Sequence, residues 1–351
     1  MKGTDGVGTI DEALRRGAIP IASRRANQTL EQLCSYQSLI EIYTSSGEMG
    51  EKEAKASGFS PIIVREAPQR TTADDTKMTA KILAEKTVDL LLFAGGDGTA
   101  RDILDAIDSR VPVLGIPAGV KMHSSVFATN PSHAARITIS YFLGELPIEQ
   151  GEVMDVDEKE FRAGRLSAKL YGYMKVPYEP GFVQWVKTAT VQTEDEAEQQ
   201  RAIAKHISEE MNQNELYVLA PGTTVKAIAD MLGVEKTLLG VDVIRDTRVL
   251  AKDVDERRLL ELIRDHPTKI VVTPIGGQAY IFGRGNQQIS PEVIRKVGRE
   301  NIIVVATRNK LQRLPQKRLL VDTGDEEVDR QLRGYIRVIT DYREETVMKV
   351  E

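Results

Sequence analysis

The chain has 351 residues, a length that suggests about two domains at a typical size of about 150 residues each. Its apolar fraction of 41% is that of an ordinary globular protein, and 47 lysines and arginines against 52 acidic residues give a net charge of −5. That balance excludes a nucleic-acid-binding protein that works through bulk positive charge. The one cysteine, Cys34, excludes an intramolecular disulfide framework and a thiolate-rich zinc site.

The sequence also predicts the compartment in which the protein works. A single thiol and four histidines suit a reducing environment. No apolar run approaches the roughly 18 residues that a membrane-spanning helix needs, and the first residues do not resemble a secretory signal. We therefore expect a cytoplasmic protein with no membrane partner and no nucleic-acid partner.

Residues 1–145 alternate between short apolar runs and helical stretches. The predicted strands lie at 19–24, 39–43, 61–65, 88–94 and 111–116. The predicted helices lie at 26–36, 48–57, 73–85 and 100–107, the third preceded by a capping-box spacing of Thr72 and Asp75. This alternation predicts a parallel α/β sheet, and the nearly all-apolar run 88–94 is typical of a strand covered on both faces.

The pattern changes after Gly144. Residues 151–184 look strand-rich, and an acid-rich helix is predicted over 193–212. The α/β alternation then resumes, with predicted strands at 216–220, 238–244, 269–274, 301–307, 318–323 and 335–350 and predicted helices at 225–232, 255–264 and 291–298. We place the domain boundary near 144–151, which divides the chain into domains of 1–145 and 146–351.

The most distinctive motif is Gly95-Gly96-Asp97-Gly98-Thr99, between a predicted buried strand and a predicted helix. Glycines let the backbone approach a ligand closely, and the N–H groups of the loop and of the helix N-terminus can bind phosphate. An aspartate beside phosphates suits metal binding or removal of a proton from an attacking hydroxyl, as phosphoryl transfer requires. The motif is neither a Walker A loop nor a dinucleotide-binding Gly-x-Gly-x-x-Gly. The alternative is a tight turn in which Asp97 or Thr99 caps the helix.

Two loops in the second domain are further candidates for ligand binding. Gly222, Thr223 and Thr224 lie between a predicted strand and a predicted helix, either as a phosphate loop similar to those of sugar-phosphate isomerases or with a threonine that only caps the helix. In the polar run 283–288, Arg284 could pair with a phosphate while Asn286 and Gln287 read an amide or a base edge. The alternative there is a plain turn before the helix that begins at 291.

Two polar segments allow both a functional and a plain interpretation. Lys2, Thr4 and Asp5 have the composition of a ligand-binding loop, or they belong to a frayed end. Asp322 and Asp325 flank a glycine and could approach Mg²⁺, or they form a solvated turn.

The motif at 95–99 resembles the signature of the superfamily that contains NAD kinases, diacylglycerol kinases and sphingosine kinases. Further segments resemble the ATP-NAD kinase family, in particular its divergent branch that includes acetoin catabolism protein X. These segments are spread over nearly the whole chain and lie at 2–6, 117–124, 238–242, 283–291 and 321–325.

The resemblance implies a two-domain fold, a reaction and a set of ligands. The N-terminal parallel α/β domain would bind the phosphates of ATP, and the larger, mixed α/β C-terminal domain would complete the site for NAD. Asp97 would act as the general base that accepts the ribose hydroxyl proton, and Gly95, Gly96, Gly98 and Thr99 would hold nucleotide phosphates. Mg²⁺ would assist, with ATP as the phosphoryl donor, NAD as the acceptor and NADP as the product. A homo-oligomer is expected on the same ground.

The sequence departs from the family pattern at two places. Members usually begin with an apolar strand and an Asn-Pro-x-Ala-Gly-type loop, whereas this sequence starts at Met1-Lys2-Gly3. Two alternatives stay open: the start codon is placed too late, or the first strand is missing from the N-terminal sheet and leaves an unpaired strand edge. The Asn-Glu pair that helps typical NAD kinases bind NAD is not evident. Two other functions therefore stay open, a kinase of another hydroxylated metabolite and a nucleotide-binding regulatory protein without activity. Three details of the reaction also stay open: whether the 2′ or the 3′ ribose hydroxyl attacks, whether ATP or polyphosphate is the phosphoryl donor, and whether NAD or NADH is the acceptor.

Overall fold

The chain forms two compact units, Met1–Val186 and Lys187–Glu351. The computed structural model describes residues 14–15, 20–119, 122–156, 168–183, 194–275 and 278–351. Both units are mixed α/β, and the C-terminal unit contains the larger sheet, as the resemblance implies. Among the helices of these described ranges, none has the length and apolar character that crossing a bilayer requires.

The N-terminal unit alternates helices and short strands. Its α-helices are α1 Ala22–Leu33, α2 Glu51–Ala56, α3 Ala73–Glu85, α4 Asp97–Ile107 and α5 Pro131–Phe142. Its strands are β1 Tyr43–Ser45, β2 Ile62–Arg65, β3 Leu91–Gly95, β4 Val113–Pro117, β5 Ile148–Val156 and β6 Ala168–Pro177. The pairs β1–β2 and β3–β4 are parallel, and β5–β6 is an antiparallel hairpin.

A cavity of about 900 Å³ lies within this unit. Residues of β1 and of β3 both line it, among them Tyr43 and Leu92, and it reaches Thr99, the last residue of the glycine-rich motif. In the described part of the chain β1 pairs only with β2 and β3 only with β4, so each strand has a second edge without a pairing strand. Among the residues that the structure describes here, the parallel strands thus form two small sheets, β1–β2 and β3–β4.

Local sequence signals explain where α3 and α1 begin. The backbone N–H of Thr72 donates to the Asp75 carboxylate at 2.9 Å, which confirms the predicted capping box ahead of α3. The strand predicted at 19–24 is wrong, because residues 22–24 are the first turn of α1. That helix packs on α5, where the Thr29 hydroxyl donates to the carbonyl of Pro131 at 3.1 Å and Leu33 is buried.

Over residues 194–275 and 278–351, the C-terminal unit shows a nine-stranded sheet with helices on both faces. Its strands are β7 Leu216–Leu219, β8 Asp242–Arg245, β9 Arg248–Ala251, β10 Thr268–Val272, β11 Tyr280–Phe282, β12 Ile302–Val305, β13 Arg318–Val321, β14 Gly334–Asp341 and β15 Glu344–Val350. Its α-helices are α6 Glu194–Glu210, α7 Thr223–Met231, α8 Glu256–Ile263, α9 Pro291–Val297, α10 Arg308–Gln312 and α11 Glu326–Leu332. The strand order is β11-β13-β15-β14-β12-β10-β7-β8-β9.

The centre of this sheet is parallel and buried on both faces. Strand β10 pairs in parallel with β7 and with β12, so that Val271 lies beside Leu219 and Val272 beside Val304. Alternate residues belong to separate hydrophobic clusters on opposite faces: Val218 and Val272 contribute to one cluster, and Leu219 and Val271 to the other. Because the strands are parallel, the loops after β7, β10 and β12 leave the sheet at the same edge, where α/β proteins commonly bind ligands.

Candidate functional site

The glycine-rich motif connects β3 to α4 inside the N-terminal unit. Gly95 is the last residue of β3, Gly96 has an extended backbone and caps α4, and Asp97 is the first helical residue. The loop is only partly buried, from Gly95 to Thr99. The first N–H groups of a helix have no carbonyl of their own helix to donate to, so this turn is chemically suited to binding an anion such as phosphate.

Gly95 in the motif and Gly119 after β4 allow close packing that a side chain at either position would disturb. A Cβ atom added to Gly95 would lie 2.4 Å from Thr99 Oγ1, and one added to Gly119 would lie 3.2 Å from the Cα of Gly96. The backbone N–H of Ala118 donates to the carbonyl of Gly95 at 2.9 Å. The segment after β4 therefore lies directly against the loop.

The Asp97 carboxylate is bound by the segment that follows β4. Its Oδ2 atom accepts a hydrogen bond from the backbone N–H of His123 at 2.7 Å. Its Oδ1 atom accepts two from Ser124, one from the backbone N–H at 2.9 Å and one from the hydroxyl at 2.6 Å. Because the helix is capped by Gly96, which has no side chain, the alternative in which Asp97 or Thr99 caps α4 is wrong. These hydrogen bonds fix the orientation of the carboxylate.

Ser124 and Ser125 connect Asp97 to the hairpin β5–β6. The Ser124 side chain is fully buried, and its hydroxyl oxygen accepts from the backbone N–H of Met154 in β5 at 3.0 Å. The Ser125 hydroxyl accepts from the N–H of Glu152 at 2.7 Å. Sequence reasoning did not assign a role to Ser124, although the segment 117–124 was one of those that resembled the family, and that resemblance is the signal that could have identified it.

The loop around Gly222 leads from β7 into α7. Gly222 has φ 128°, a conformation that favours glycine, and a Cβ atom there would lie 2.5 Å from Thr273 Cγ2. Thr223 Oγ1 accepts from Gln200 Nε2 at 3.3 Å, and the Thr224 side chain is fully buried. The helix has Gly222 as its cap and no side-chain capping bond, so the alternative in which a threonine only caps α7 is wrong.

The polar run after β11 is largely internal to the C-terminal unit. Arg284 is 3% exposed and forms an ion pair with Asp322 at 3.2 Å. Asn286 is buried as well and donates to the carbonyl of Ile281 at 2.8 Å, while Gln287 is partly buried. The structure therefore brings together Arg284 and Asp322, two residues that the sequence placed in separate candidate sites. Asp325, in contrast, caps α11.

Three of the candidate residues, Lys2, Thr4 and Asp5, lie outside the described residues. The described ranges hold no group of three or more His, Cys, Asp or Glu side chains placed to bind a metal ion. Asp97 offers a single carboxylate that already accepts three hydrogen bonds. These residues do not fit a resident magnesium site. A magnesium ion commonly binds through substrate phosphates with few protein ligands.

Models of known protein families match both halves of the chain. The model of the ATP-NAD kinase N-terminal domain matches residues 7–145, and that of the ATP-NAD kinase C-terminal domain matches residues 212–350. Searches of the curated proteins and of the solved structures find no match to the chain. The first matched range contains the glycine-rich motif and Ser124, and the second contains the loop at Gly222 and the Arg284–Asp322 pair. The chain belongs to the ATP-NAD kinase family.

Proposed function

We propose that this protein is a NAD kinase, which transfers the γ-phosphoryl group of ATP to a ribose hydroxyl of NAD and forms NADP. The observation that carries the proposal is the oriented Asp97 carboxylate at the start of α4, within a turn suited to binding phosphate. The family membership of the chain supports the same reaction. The branch that includes acetoin catabolism protein X stays a proposal that rests on the segments quoted above.

In the proposed reaction the turn binds phosphate and Asp97 accepts a proton. Backbone N–H groups of Gly98 and Thr99 would hold phosphate oxygens at the helix N-terminus, and Gly95 and Gly96 let the ligand approach. The ribose oxygen attacks the γ-phosphorus and its proton passes to the Asp97 carboxylate. The bond from the γ-phosphorus to the bridging oxygen breaks, and ADP leaves with the bond's electron pair.

Asp97 would act mainly through its position. A free carboxylate in water is a weak base at neutral pH, so a carboxylate base takes the proton late, when bond formation has made the hydroxyl acidic. The three hydrogen bonds from residues 123 and 124 hold the carboxylate in one orientation while this occurs. Mg²⁺ would come with the ATP phosphates, where it offsets their charge.

The other residues named from the sequence complete the proposal. Gly222, Thr223 and Thr224 are proposed phosphate contacts, and Lys2, Thr4 and Asp5 are proposed nucleotide contacts. Because Arg284 pairs with Asp322, its proposed phosphate contact would require it to share its guanidinium with both groups. Homo-oligomer formation is proposed from the resemblance alone, and sedimentation analysis of the purified protein tests it.

An acceptor panel distinguishes the proposal from the two other functions. Purified protein is incubated with Mg²⁺ and ATP labelled at the γ-phosphate, together with NAD, NADH, or a mixture of nucleosides and polyols. The proposal predicts that the label moves to NAD. Transfer to another acceptor with none to NAD would favour a kinase of a different metabolite, and NAD binding without any transfer would favour a regulatory protein. Polyphosphate in place of ATP tests the donor.

A further inference from the structure

The C-terminal unit contains a polar cluster at the edge where β7, β10 and β12 end. Gly222 and Thr223 follow β7, Thr273 is the first residue after β10, and Lys310 lies in α10 after β12. Lys310 Nζ donates to Thr273 Oγ1 at 2.9 Å, and the methyl carbon of Thr273 lies 2.5 Å from the position of a Cβ on Gly222. The glycine, the threonine and the lysine thus meet in one place, although they come from three separate loops.

Lys310 places its ammonium beside a hydroxyl, not a carboxylate, in the part of the chain that the structure describes. Among the residues that the structure describes, no carboxylate oxygen lies within 4 Å of its ammonium group, which donates a hydrogen bond to the neutral hydroxyl of Thr273. Burial lowers the pKa of Lys310 to about 8, although the charge of Glu196 in α6 acts in the opposite direction. Glu196 itself accepts a hydrogen bond from the Thr307 hydroxyl at 2.7 Å. For the Lys310 ammonium, the cost of desolvation therefore exceeds the stabilisation that the charge of Glu196 provides.

The first turn of α7 supplies a second feature that points to an anion. The helix has nine residues and begins at Thr223, so its free N–H groups and its dipole favour a negative group at this end. Thr224 is fully buried there, and none of the described residues forms a hydrogen bond with its hydroxyl oxygen. A buried hydroxyl that makes no hydrogen bond is costly, so its presence indicates a ligand that supplies the missing bond.

We propose that the carboxyl ends of β7, β10 and β12 form a phosphate-binding site, in which the first turn of α7 binds the phosphate oxygens and Lys310 supplies the positive charge. The ligand class is a phosphate group, either free or at the end of a nucleotide or sugar phosphate. Thr223 is exposed and Gly222 and Lys310 are partly exposed, so such a group can reach the cluster from solvent. Glycine is required at position 222 because the Cβ atom of any other residue would clash with the Thr273 side chain.

Acetylation of the wild-type protein tests this site without any substitution. A limiting amount of an N-hydroxysuccinimide ester is added at about pH 8, and mass spectrometry follows the reaction of Lys310. A bound phosphate dianion favours the ammonium form, and raising the lysine pKa from about 8 to about 9 would reduce its neutral, reactive fraction about fivefold. Lys226 in the same unit is the internal control, because it lies on the exposed face of α7 and pairs with Asp230 at 2.6 Å.

Four ligands distinguish the possible sources of the phosphate group. Inorganic phosphate, ribose 5-phosphate, ATP and NAD are compared with sodium chloride at equal ionic strength. Protection of Lys310 but not of Lys226 by the first two supports a site for a terminal phosphate, and stronger protection by ATP or NAD supports a nucleotide as the natural ligand. Equal labelling of Lys310 with and without all four ligands would overturn the proposal.

Substitutions give an independent readout. Inorganic phosphate should raise the midpoint temperature of thermal unfolding for the wild type and for Lys226→Met. It should leave the midpoint temperature of Lys310→Met unchanged. A phosphate-induced shift that persists in a folded Lys310→Met protein would contradict the proposed role of the lysine. If Lys310→Met does not fold, the labelling of the wild type still shows whether phosphate binds at Lys310. None of these measurements requires phosphoryl transfer, so this inference and the proposed kinase activity can fail separately.

Discussion

Asp97 and Ser124 are joined by two hydrogen bonds that end on the same carboxylate oxygen, 2.9 Å from the Ser124 backbone nitrogen and 2.6 Å from its hydroxyl oxygen. The same hydroxyl oxygen accepts from the N–H of Met154 in β5. A buried serine thus connects the first residue of α4 to the β5–β6 hairpin. The proposed base is held by a part of the chain that begins 26 residues away along the sequence, at His123.

Replacing Ser124 by alanine tests whether this connection serves catalysis. The variant loses a hydrogen bond to a charged group and an acceptor for Met154, so we expect the free energy of unfolding to fall by about 2 kcal/mol. We also expect kcat to fall while the KM for ATP stays the same, because the carboxylate loses its orientation and the phosphate-binding turn does not change. Urea unfolding and steady-state kinetics measure the two effects.

The matched control is Ser125→Ala. Ser125 also anchors the segment to β5, through the N–H of Glu152, but the three hydrogen bonds to the Asp97 carboxylate come from His123 and Ser124. This variant should lose about 1 kcal/mol of stability and keep its kcat. Equal kcat values for Ser124→Ala and the wild type would refute the role of Ser124 in positioning the base.

Alanine substitution should affect Gly95 and Gly96 differently. A Cβ on Gly95 would lie 2.4 Å from Thr99 Oγ1, so Gly95→Ala should lose about 1–3 kcal/mol through overpacking. A Cβ on Gly96 would lie no closer than 3.5 Å to its nearest neighbour, the Cα of Gly119, and its φ of −132° suits any residue. Gly96→Ala should therefore lose less than about 1 kcal/mol, mainly because alanine is a poorer helix cap than glycine. Thermal unfolding of both variants measures the two losses of stability. A larger loss for Gly96→Ala than for Gly95→Ala would contradict the packing described for this loop.

The Arg284–Asp322 pair should contribute strongly to the stability of the C-terminal unit. Asp322→Asn leaves the buried guanidinium without its carboxylate, and we expect a loss of about 3–5 kcal/mol. The control is Glu235→Gln, which breaks an exposed pair with Lys252 and should cost less than about 1 kcal/mol. Guanidinium chloride unfolding measures both. Similar small losses in the two variants would show that Arg284 does not depend on Asp322.

The Arg65–Asp75 pair should make stability depend on pH in the acid range. The hydrogen bond from Arg65, and after it the one from the Thr72 N–H, hold the pKa of Asp75 below its usual value. A lowered carboxyl pKa stabilises the folded state above the unfolded pKa of about 4, and this stabilisation is lost as the pH falls through the lower, folded value.

Asp75→Asn should therefore reduce the loss of stability between about pH 5 and about pH 3. Asp74→Asn is the control, because Asp74 lies next to it in the first turn of α3 and is exposed. The urea midpoint at each pH gives the comparison. If Asp74→Asn and Asp75→Asn show the same dependence on pH, the ion pair is not the cause.

Elements with strong local signals could be predicted from the sequence. Helix α3 has the predicted bounds because its capping box and its amphipathic pattern agree. Strand β3 overlaps the nearly all-apolar run 88–94, but Leu92, Ala94 and Gly95 are only partly buried, so the strand is less covered than the run indicated. Helix α5 was not predicted, although it has a strong signal: Asn130 caps it by accepting from the N–H of His133, and Pro131 is its first residue. Both the predicted and the overlooked signals are local.

Features that depend on distant residues could not be predicted in this way. The strand predicted at 238–244 begins only at Asp242, because the buried Asp242 carboxylate accepts from the N–H groups of Thr237 and Asp253 and holds the preceding residues in a turn. In the candidate sites, the glycine-rich motif indicated a phosphate-binding turn, but no local pattern brings Lys310 to Thr273 or pairs Arg284 with Asp322. Those contacts depend on the order of strands in the sheet.

The most direct test of the central claim is a transfer assay of the wild type beside Asp97→Asn. Both proteins receive Mg²⁺, ATP and NAD, and chromatography separates NAD phosphorylated at the 2′ hydroxyl from NAD phosphorylated at the 3′ hydroxyl. Circular dichroism first establishes that the variant is folded. We predict NADP from the wild type and a rate lower by about 10²–10⁴-fold in the variant, as expected when a general base is removed. Wild-type rates in a folded Asp97→Asn protein, or no phosphorylated NAD from the folded wild type, would contradict the account.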